Sequence, residues 1–273
     1  KSLTKKTLKR WLIFKKFSEK LFGLFSILIA SSKESRENLN SLSAKNVKYY
    51  GNIKFCSNNL NEKEMYLKDF DQVRNKKIWC AVSTHNDEEI FCLKVQEIIK
   101  KTEKESLCII IPRHVNRTKK IYLKLKKYGF KLQIKNERDV INKSSDIVLV
   151  NYYGSVGAFL SQIKNVFIGK SLIKRLVKVG GQNPIEAAKR GCFIFHGPYV
   201  SNFHEIYEYL NQKKISEKIN YPEELANKLI KNFNNKQKVV DNEKLKELET
   251  YSSSIFTNVI NEYEKIINEN FKT

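Results

Sequence analysis

Four histidines, His85, His114, His196 and His204, each fall at or just beyond the end of an apolar run, and three of the four prolines, Pro112, Pro184 and Pro198, lie in the same places. In an open α/β sheet a ligand binds beyond the carboxyl ends of the strands, so scarce residue types gathered there mark one working edge. Pro112-Arg113-His114 puts a cation at the tip of an apolar run. Arginine suits a phosphate because its planar fork holds two oxygens at once; a plain surface arginine is the alternative. Gly180-Gly181-Gln182-Asn183-Pro184-Ile185-Glu186 is the most informative stretch. Asn183 suits an N-cap, Pro184 the first helical position and Glu186 the acid of a capping box, and capping alone explains those three. The paired glycines point further, because they let backbone amides approach an anion at the helix N-terminus. Glu186 would repel a phosphate, so a ligand contact there would be to ribose hydroxyls. Tyr153-Gly154-Ser155 repeats the arrangement, with Ser155 in the capping place. Gly51-Asn52-Ile53-Lys54-Phe55 reads as a turn entering a strand and carries a lysine.

These residues need a scaffold, and from residue 76 onward the pattern supplies one. Short apolar runs at 78–83, 107–111, 130–134, 147–150, 166–168 and 193–195 read as strands. Amphipathic or capped segments at 88–101, 117–128, 156–163 and 184–190 read as helices. Repeated βα of this kind predicts a parallel sheet covered by helices on both faces. Two helices close the chain, at 222–233 and 242–271, the second with Ile255, Val259, Ile260, Tyr263 and Ile267 on one face. Upstream, residues 3–25 set Leu3, Leu8, Trp11, Leu12 and Phe17 among lysines and arginines, a basic amphipathic helix. It fits either an anionic membrane surface or packing on the rest of a domain. A short strand at 27–31 and a helix at 32–42 follow. The polar stretch 57–77 separates domain 1–75, the end of an incomplete domain, from a complete domain at 76–273.

The length, 273 residues, allows roughly 1.8 domains. Lys plus Arg is 51 against 29 acids, a net of +22, while 41% of residues are apolar, which excludes a disordered polybasic tail. The charge suits a phosphate-bearing partner, whether nucleic acid, anionic membrane or phosphorylated substrate, although a chain so rich in Lys, Asn and Ile also carries charge as solvated background. No nucleic-acid reader motif is present, and no nucleic-acid partner is expected. The five cysteines have no CxxC pair, which argues against zinc and against a disulfide framework. The longest apolar stretch, 21–30, is about half of what a membrane-spanning helix needs. With no initiator Met, the chain is expected to begin inside a longer protein.

Taken in order, Gly51 to Phe55, Ala81-Val82-Ser83-Thr84-His85 with Glu88-Glu89, Ile111-Pro112-Arg113-His114, Gly180 to Glu186, and Gly197-Pro198 with Asn202-Phe203 resemble the Kdo transferases. That family attaches 3-deoxy-D-manno-octulosonic acid (Kdo) to lipid A precursors at the cytoplasmic face of the Gram-negative inner membrane. The resemblance implies a GT-B fold, two Rossmann-like domains, here the end of one and the whole of the other. It implies CMP-Kdo as donor, a lipid A precursor (lipid IVA) as acceptor, an anionic membrane surface as partner, inverting transfer, and no metal or cofactor. Carried over by motif, Pro112, Arg113, Tyr153, Gly154, Ser155, Asn183, Pro184, Ile185 and Glu186 line the CMP site, and Lys54 stabilises charge in the transition state. Gln182 and Ser155 depart from the family's commoner His and Glu. The family's general base, a Glu near the start of the N-terminal domain, has no counterpart, which makes this chain alone inactive. Another GT-B enzyme using a different sugar nucleotide and a basic nucleic-acid-binding protein are the alternatives.

Overall fold

A computed structural model describes residue 3 and residues 5–56, 68–235 and 240–270. Most of the polar stretch 57–77 therefore lies outside the described residues. The chain divides into two compact units, Lys1–Asn58 with Lys246–Thr273, and Asn59–Leu245.

In the first unit the basic segment forms two helices, α1 (Lys5–Ile13) and α2 (Lys15–Gly23). The break comes at Phe14, where the Ser18 hydroxyl donates to Trp11 O (2.7 Å) and to Phe14 O (3.1 Å). A parallel βαβ unit follows: β1 (Leu28–Ile29), α3 (Lys33–Asn40) and β2 (Val47–Lys48). Ser32 caps α3 by accepting from Ser35 N at 3.0 Å. The segment expected to enter a strand after Gly51 is instead a 3₁₀ turn, Ile53–Cys56. Phe55 anchors it, buried edge-on against Tyr251 at 5.1 Å, with its carbonyl accepting from the Ser252 hydroxyl at 2.7 Å.

The second unit runs α4 (Lys68–Asp71), β3 (Lys77–Thr84), α5 (Glu88–Thr102), β4 (Ser106–Pro112), α6 (Thr118–Leu125), β5 (Leu132–Lys135), β6 (Ile147–Val150), α7 (Val156–Gln162), β7 (Asn165–Ile168), α8 (Ile185–Lys189), β8 (Phe193–His196), α9 (His204–Gln212), β9 (Ser216–Lys218) and α10 (Pro222–Asn234). Its seven strands pair in the order β5-β6-β4-β3-β7-β8-β9, every pair parallel. Every residue of β4, β6 and β8 is buried, which is why they read as unbroken apolar runs rather than alternating ones. Right-handed crossovers put α5 and α6 on one face and α7, α8 and α9 on the other, because the chain steps in opposite directions from the centre. The sheet turns away on both sides of β3 and β7, a topological switch point.

Trp79 is fully buried in β3, and its indole N–H donates to Gln96 Oε1 at 2.9 Å while Gln96 Nε2 donates to Ser106 Oγ at 3.1 Å. The polar handles inside this core are thus satisfied. Cys80, Cys92, Cys108 and Cys192 are buried free thiols, as small hydrophobes; burial pushes Cys192 up to about 12.

Four elements escaped the sequence pattern: β2, α4, α9 and the short, charged edge strand β9. The last helix, α11 (Asn242–Asn270), was expected to close the sheet domain, but from Lys246 onward it groups with the first unit. Its buried face is Leu248, Ser252, Ile255 and Val259, while Ile260, Tyr263 and Ile267 are exposed. Gly51 (φ 113°) makes that packing possible, since a Cβ there would sit 2.6 Å from Ile255 Cδ1.

Candidate functional site

The switch point is built around one carboxylate. β3 ends in a bulge between Val82 and Thr84, and Ser83, Asp87 and Lys170 all take left-handed φ values, 57°, 80° and 60°. These bends turn four backbone amides inward onto Glu88. Its Oε2 accepts from His85 N (2.9 Å) and Lys170 N (2.7 Å). Its Oε1 accepts from Ser171 N (2.9 Å) and Leu172 N (3.1 Å). Gly169 is obligatory beside it, because a Cβ would lie 2.6 Å from Ser83 O and 2.9 Å from Glu88 Oε2. The amides that an external anion would use at such a place are therefore filled from within. Burial raises the Glu88 pKa, and the four N–H bonds only partly oppose it. The sequence signal for this hub was an acidic pair opening a helix just after a strand, and it gave no hint of which amides the acid would collect.

A second acid tightens the same edge. Glu89 accepts from the Thr84 hydroxyl (3.0 Å) and pairs with Arg117 (3.0 Å), whose Nη1 also donates to Thr84 O (3.3 Å). Arg117 is thus committed to the protein. Arg113 is not: its backbone N–H donates to Thr84 O at 3.0 Å, and its exposed guanidinium makes no hydrogen bond or ion pair among the described residues. Pro112, buried beneath it, ends β4.

The histidines divide. His85 and His114 meet edge to face, centroids 5.9 Å apart. His196 belongs to the core, buried, with Nδ1 on Gly197 O (2.8 Å) and Nε2 on Asn211 Oδ1 (3.2 Å). His204 is exposed at the start of α9.

The carboxyl end of β6 carries Tyr153, which is 72% exposed, and Gly154 in a left-handed turn (φ 79°). Ser155 does not cap α7. It is buried and already helical (φ −82°, ψ −22°), and no side-chain cap bond forms, whereas a capping side chain needs an extended backbone to reach forward. Behind this turn the buried Lys135 ammonium lies 5.3 Å from the Tyr152 ring centroid.

At the β7–α8 connection Asn183 caps as expected, Oδ1 accepting from Ile185 N at 3.1 Å, and Pro184 precedes the first helical residue, the buried Ile185. Glu186 pairs with Arg190 one turn on, at 3.6 Å. The paired glycines are spent differently from the expectation. Gly181 N donates to Lys170 O (2.7 Å) and Gly180 O accepts from Asn202 N (3.1 Å). A Cβ on Gly180 would fall 2.2 Å from Tyr199 O. The pair thus lets two loops close on each other; close approach of loop to loop, not of backbone to an anion, is what requires glycine. Gly180→Ala is expected to cost about 1–3 kcal/mol by overpacking, read as a lowered urea midpoint with an unchanged slope.

Pro112 with Arg113, Tyr153 to Ser155 and Asn183 to Glu186 thus all follow the carboxyl ends of strands, as the sequence placed them. Lys54 belongs to the other unit, exposed on its 3₁₀ turn, with partial burial lowering its pKa. A cavity of about 140 Å³ lined by Lys164, Asn165, Arg190, Phe193, Val240 and Leu245 lies at the opposite, amino edge of β7 and β8, and it is too small for a nucleotide. Among the described residues no group of three or more His, Cys, Asp or Glu is placed to hold a metal ion.

An all-parallel Rossmann-like sheet with a topological switch point defines an α/β fold of the GT-B glycosyltransferase type. The C-terminal CMP-Kdo binding domain of WaaA from Acinetobacter baumannii superposes with a TM-score of 0.54 over 67% of this chain and 91% of that one, at 17% identity. The family described as 3-deoxy-D-manno-octulosonic-acid transferase (kdotransferase) matches residues 2–57. The Kdo transferase of Rickettsia bellii is 28% identical over 98% of this chain and 63% of its own length. That of Rickettsia felis is 30% identical over 83% of this chain and 48% of its own. The chain is similar to the Kdo transferases, and it spans about half to two-thirds of the length of these relatives.

Proposed function

We propose that the sheet unit holds the CMP part of CMP-Kdo, and that the protein transfers Kdo to a lipid A precursor, lipid IVA, by an inverting, metal-independent reaction. The observation that carries this reading is the uncommitted Arg113 guanidinium at the carboxyl edge, in a fold shared with a CMP-Kdo binding domain. Arg113 would take two phosphate oxygens in its fork. Tyr153, with its broad exposed ring, and the Asn183–Glu186 turn would flank the cytidine, Glu186 accepting from the ribose. Lys54 would offset charge developing as CMP leaves. A general base would deprotonate the acceptor hydroxyl as CMP leaves.

The first unit supports a site of work at the cytoplasmic face of the inner membrane. Ile13 is 74% exposed, Phe14 67%, Phe17 62% and Leu24 75%, beside Lys9, Arg10, Lys15, Lys16 and Lys20. Apolar side chains flanked by cations suit an anionic bilayer. No described helix is long and apolar enough to cross a membrane.

A nucleotide panel tests the donor assignment. Titration calorimetry is expected to give CMP an affinity at least about tenfold above UMP, UDP and GDP, a gap of about 1.4 kcal/mol. Preference for UDP or GDP would make the protein a GT-B transferase of another sugar. Tight binding to duplex DNA falling steeply with salt would favour a nucleic-acid role instead.

A further inference from the structure

His85 is held so that only one of its ring nitrogens can meet a ligand. Nδ1 lies 3.1 Å from Ser83 O, and since a carbonyl oxygen can only accept, the proton of the neutral ring sits on Nδ1. Nε2 then carries a bare lone pair and has no hydrogen-bond partner among the described residues. The backbone that carries the ring is held on both sides, by the left-handed Ser83 and by the His85 backbone N–H donating to Glu88.

Cations flank it, and the acids nearby are already engaged. The His114 ring packs edge-on at 5.9 Å and makes no hydrogen bond among the described residues, while its carbonyl accepts from Arg117 N at 3.1 Å. The cations of Lys170, from the loop after β7, and Arg117 both act on His85. Arg113 is the next residue before His114 in sequence. Of the nearby acids, Glu88 is consumed by four amides, Glu89 by Arg117, and Asp87 by Lys124 at 3.3 Å. With burial and these cations opposing its charge, the free imidazole stays neutral below its ordinary range.

We infer that His85, His114 and Lys170 form a second anion-binding subsite beside the Arg113 phosphate position, and that it takes the carboxylate of the transferred sugar acid together with a proton on His85 Nε2. The inference rests on the donor reading above and adds the residues and the proton to it. Without ligand, crowded cations keep Nε2 deprotonated. A carboxylate arriving among them reverses the local field, Nε2 takes a proton from solvent, and N–H donates to the carboxylate oxygen. Binding should then tighten as pH falls, because the bound state carries one more proton than the free one.

The test is calorimetric titration of the whole chain with freshly prepared CMP-Kdo at pH 8 and pH 6. The donor suits this because its phosphodiester and its carboxylate stay ionised throughout that window. Affinity is expected to rise about tenfold at pH 6, with a heat that depends on buffer ionisation and so reports proton uptake. His85→Gln and His114→Gln are expected to flatten the pH dependence; the exposed His114 provides a folded variant even if His85→Gln melts early. A flat profile in the wild type, affinity that rises toward pH 8 as it would if Nε2 accepted from a sugar hydroxyl, or variants that keep the wild-type slope would overturn the subsite alone. Failure of CMP itself to bind would overturn the donor reading, and the subsite with it.

Discussion

Glu88→Ala is expected to lower the unfolding midpoint by about 10 °C in circular dichroism, the largest stability loss for any single substitution at the carboxyl edge. The carboxylate is 1% exposed and accepts four backbone N–H groups from two loops. Removing it strands buried donors, at about 3–5 kcal/mol, and a unit of this size loses about 2–4 °C per kcal/mol. The charge itself is not the source of that stability. Burial raises the folded pKa above the ordinary 4.5, so the ionisation linkage favours the fold below 4.5 and is lost as pH rises through the folded value. What alanine removes is the pair of acceptor oxygens. Glu88→Gln keeps one of them and turns two donors toward the other amides, so it should recover little. A midpoint within 2 °C of wild type for Glu88→Ala would show that these loops do not depend on the carboxylate.

The second large effect falls on binding and not on folding. Arg113→Ala should leave the unfolding midpoint unchanged within about 1 °C, since its guanidinium is exposed and makes no hydrogen bond or ion pair among the described residues. The same substitution should weaken CMP by about 30-fold or more in calorimetry, the loss of a forked pair of charge-assisted bonds worth about 2–3 kcal/mol. Arg117→Ala should do the reverse, since Arg117 is spent on Glu89 and Thr84. It should destabilise the fold while changing CMP affinity less. Two arginines four residues apart are thus separated by what they touch.

That separation also marks where the sequence stopped being informative. Strands buried on both faces, such as Leu107 to Ile111 and Ile147 to Val150, left unbroken apolar runs, and those runs placed the parallel sheet and its working edge. β9 left no such trace because it is an edge strand with Glu217 and Lys218 in its last two positions. Scarce residues at strand ends found Arg113 and the Asn183 cap. They could not tell that Gly180 is demanded by Tyr199, far along the chain, or that α11 packs on Gly51 and Phe55 rather than on the sheet, since both are long-range contacts with no local signature. Nor could composition single out Glu88 among 29 acids. Its role arises from four amides that reach it only after the loops beyond β3 and β7 have folded.

The central claim is that the carboxyl edge of the sheet, and no other surface of this unit, receives CMP. Hydrogen–deuterium exchange of the chain with and without saturating CMP measures that directly. Protection is expected in the peptides covering residues 111–117, 151–157 and 180–188, with none around the amino-edge cavity of Lys164, Arg190 and Leu245. Unchanged exchange across those three loops, or protection confined to the amino edge, would contradict it.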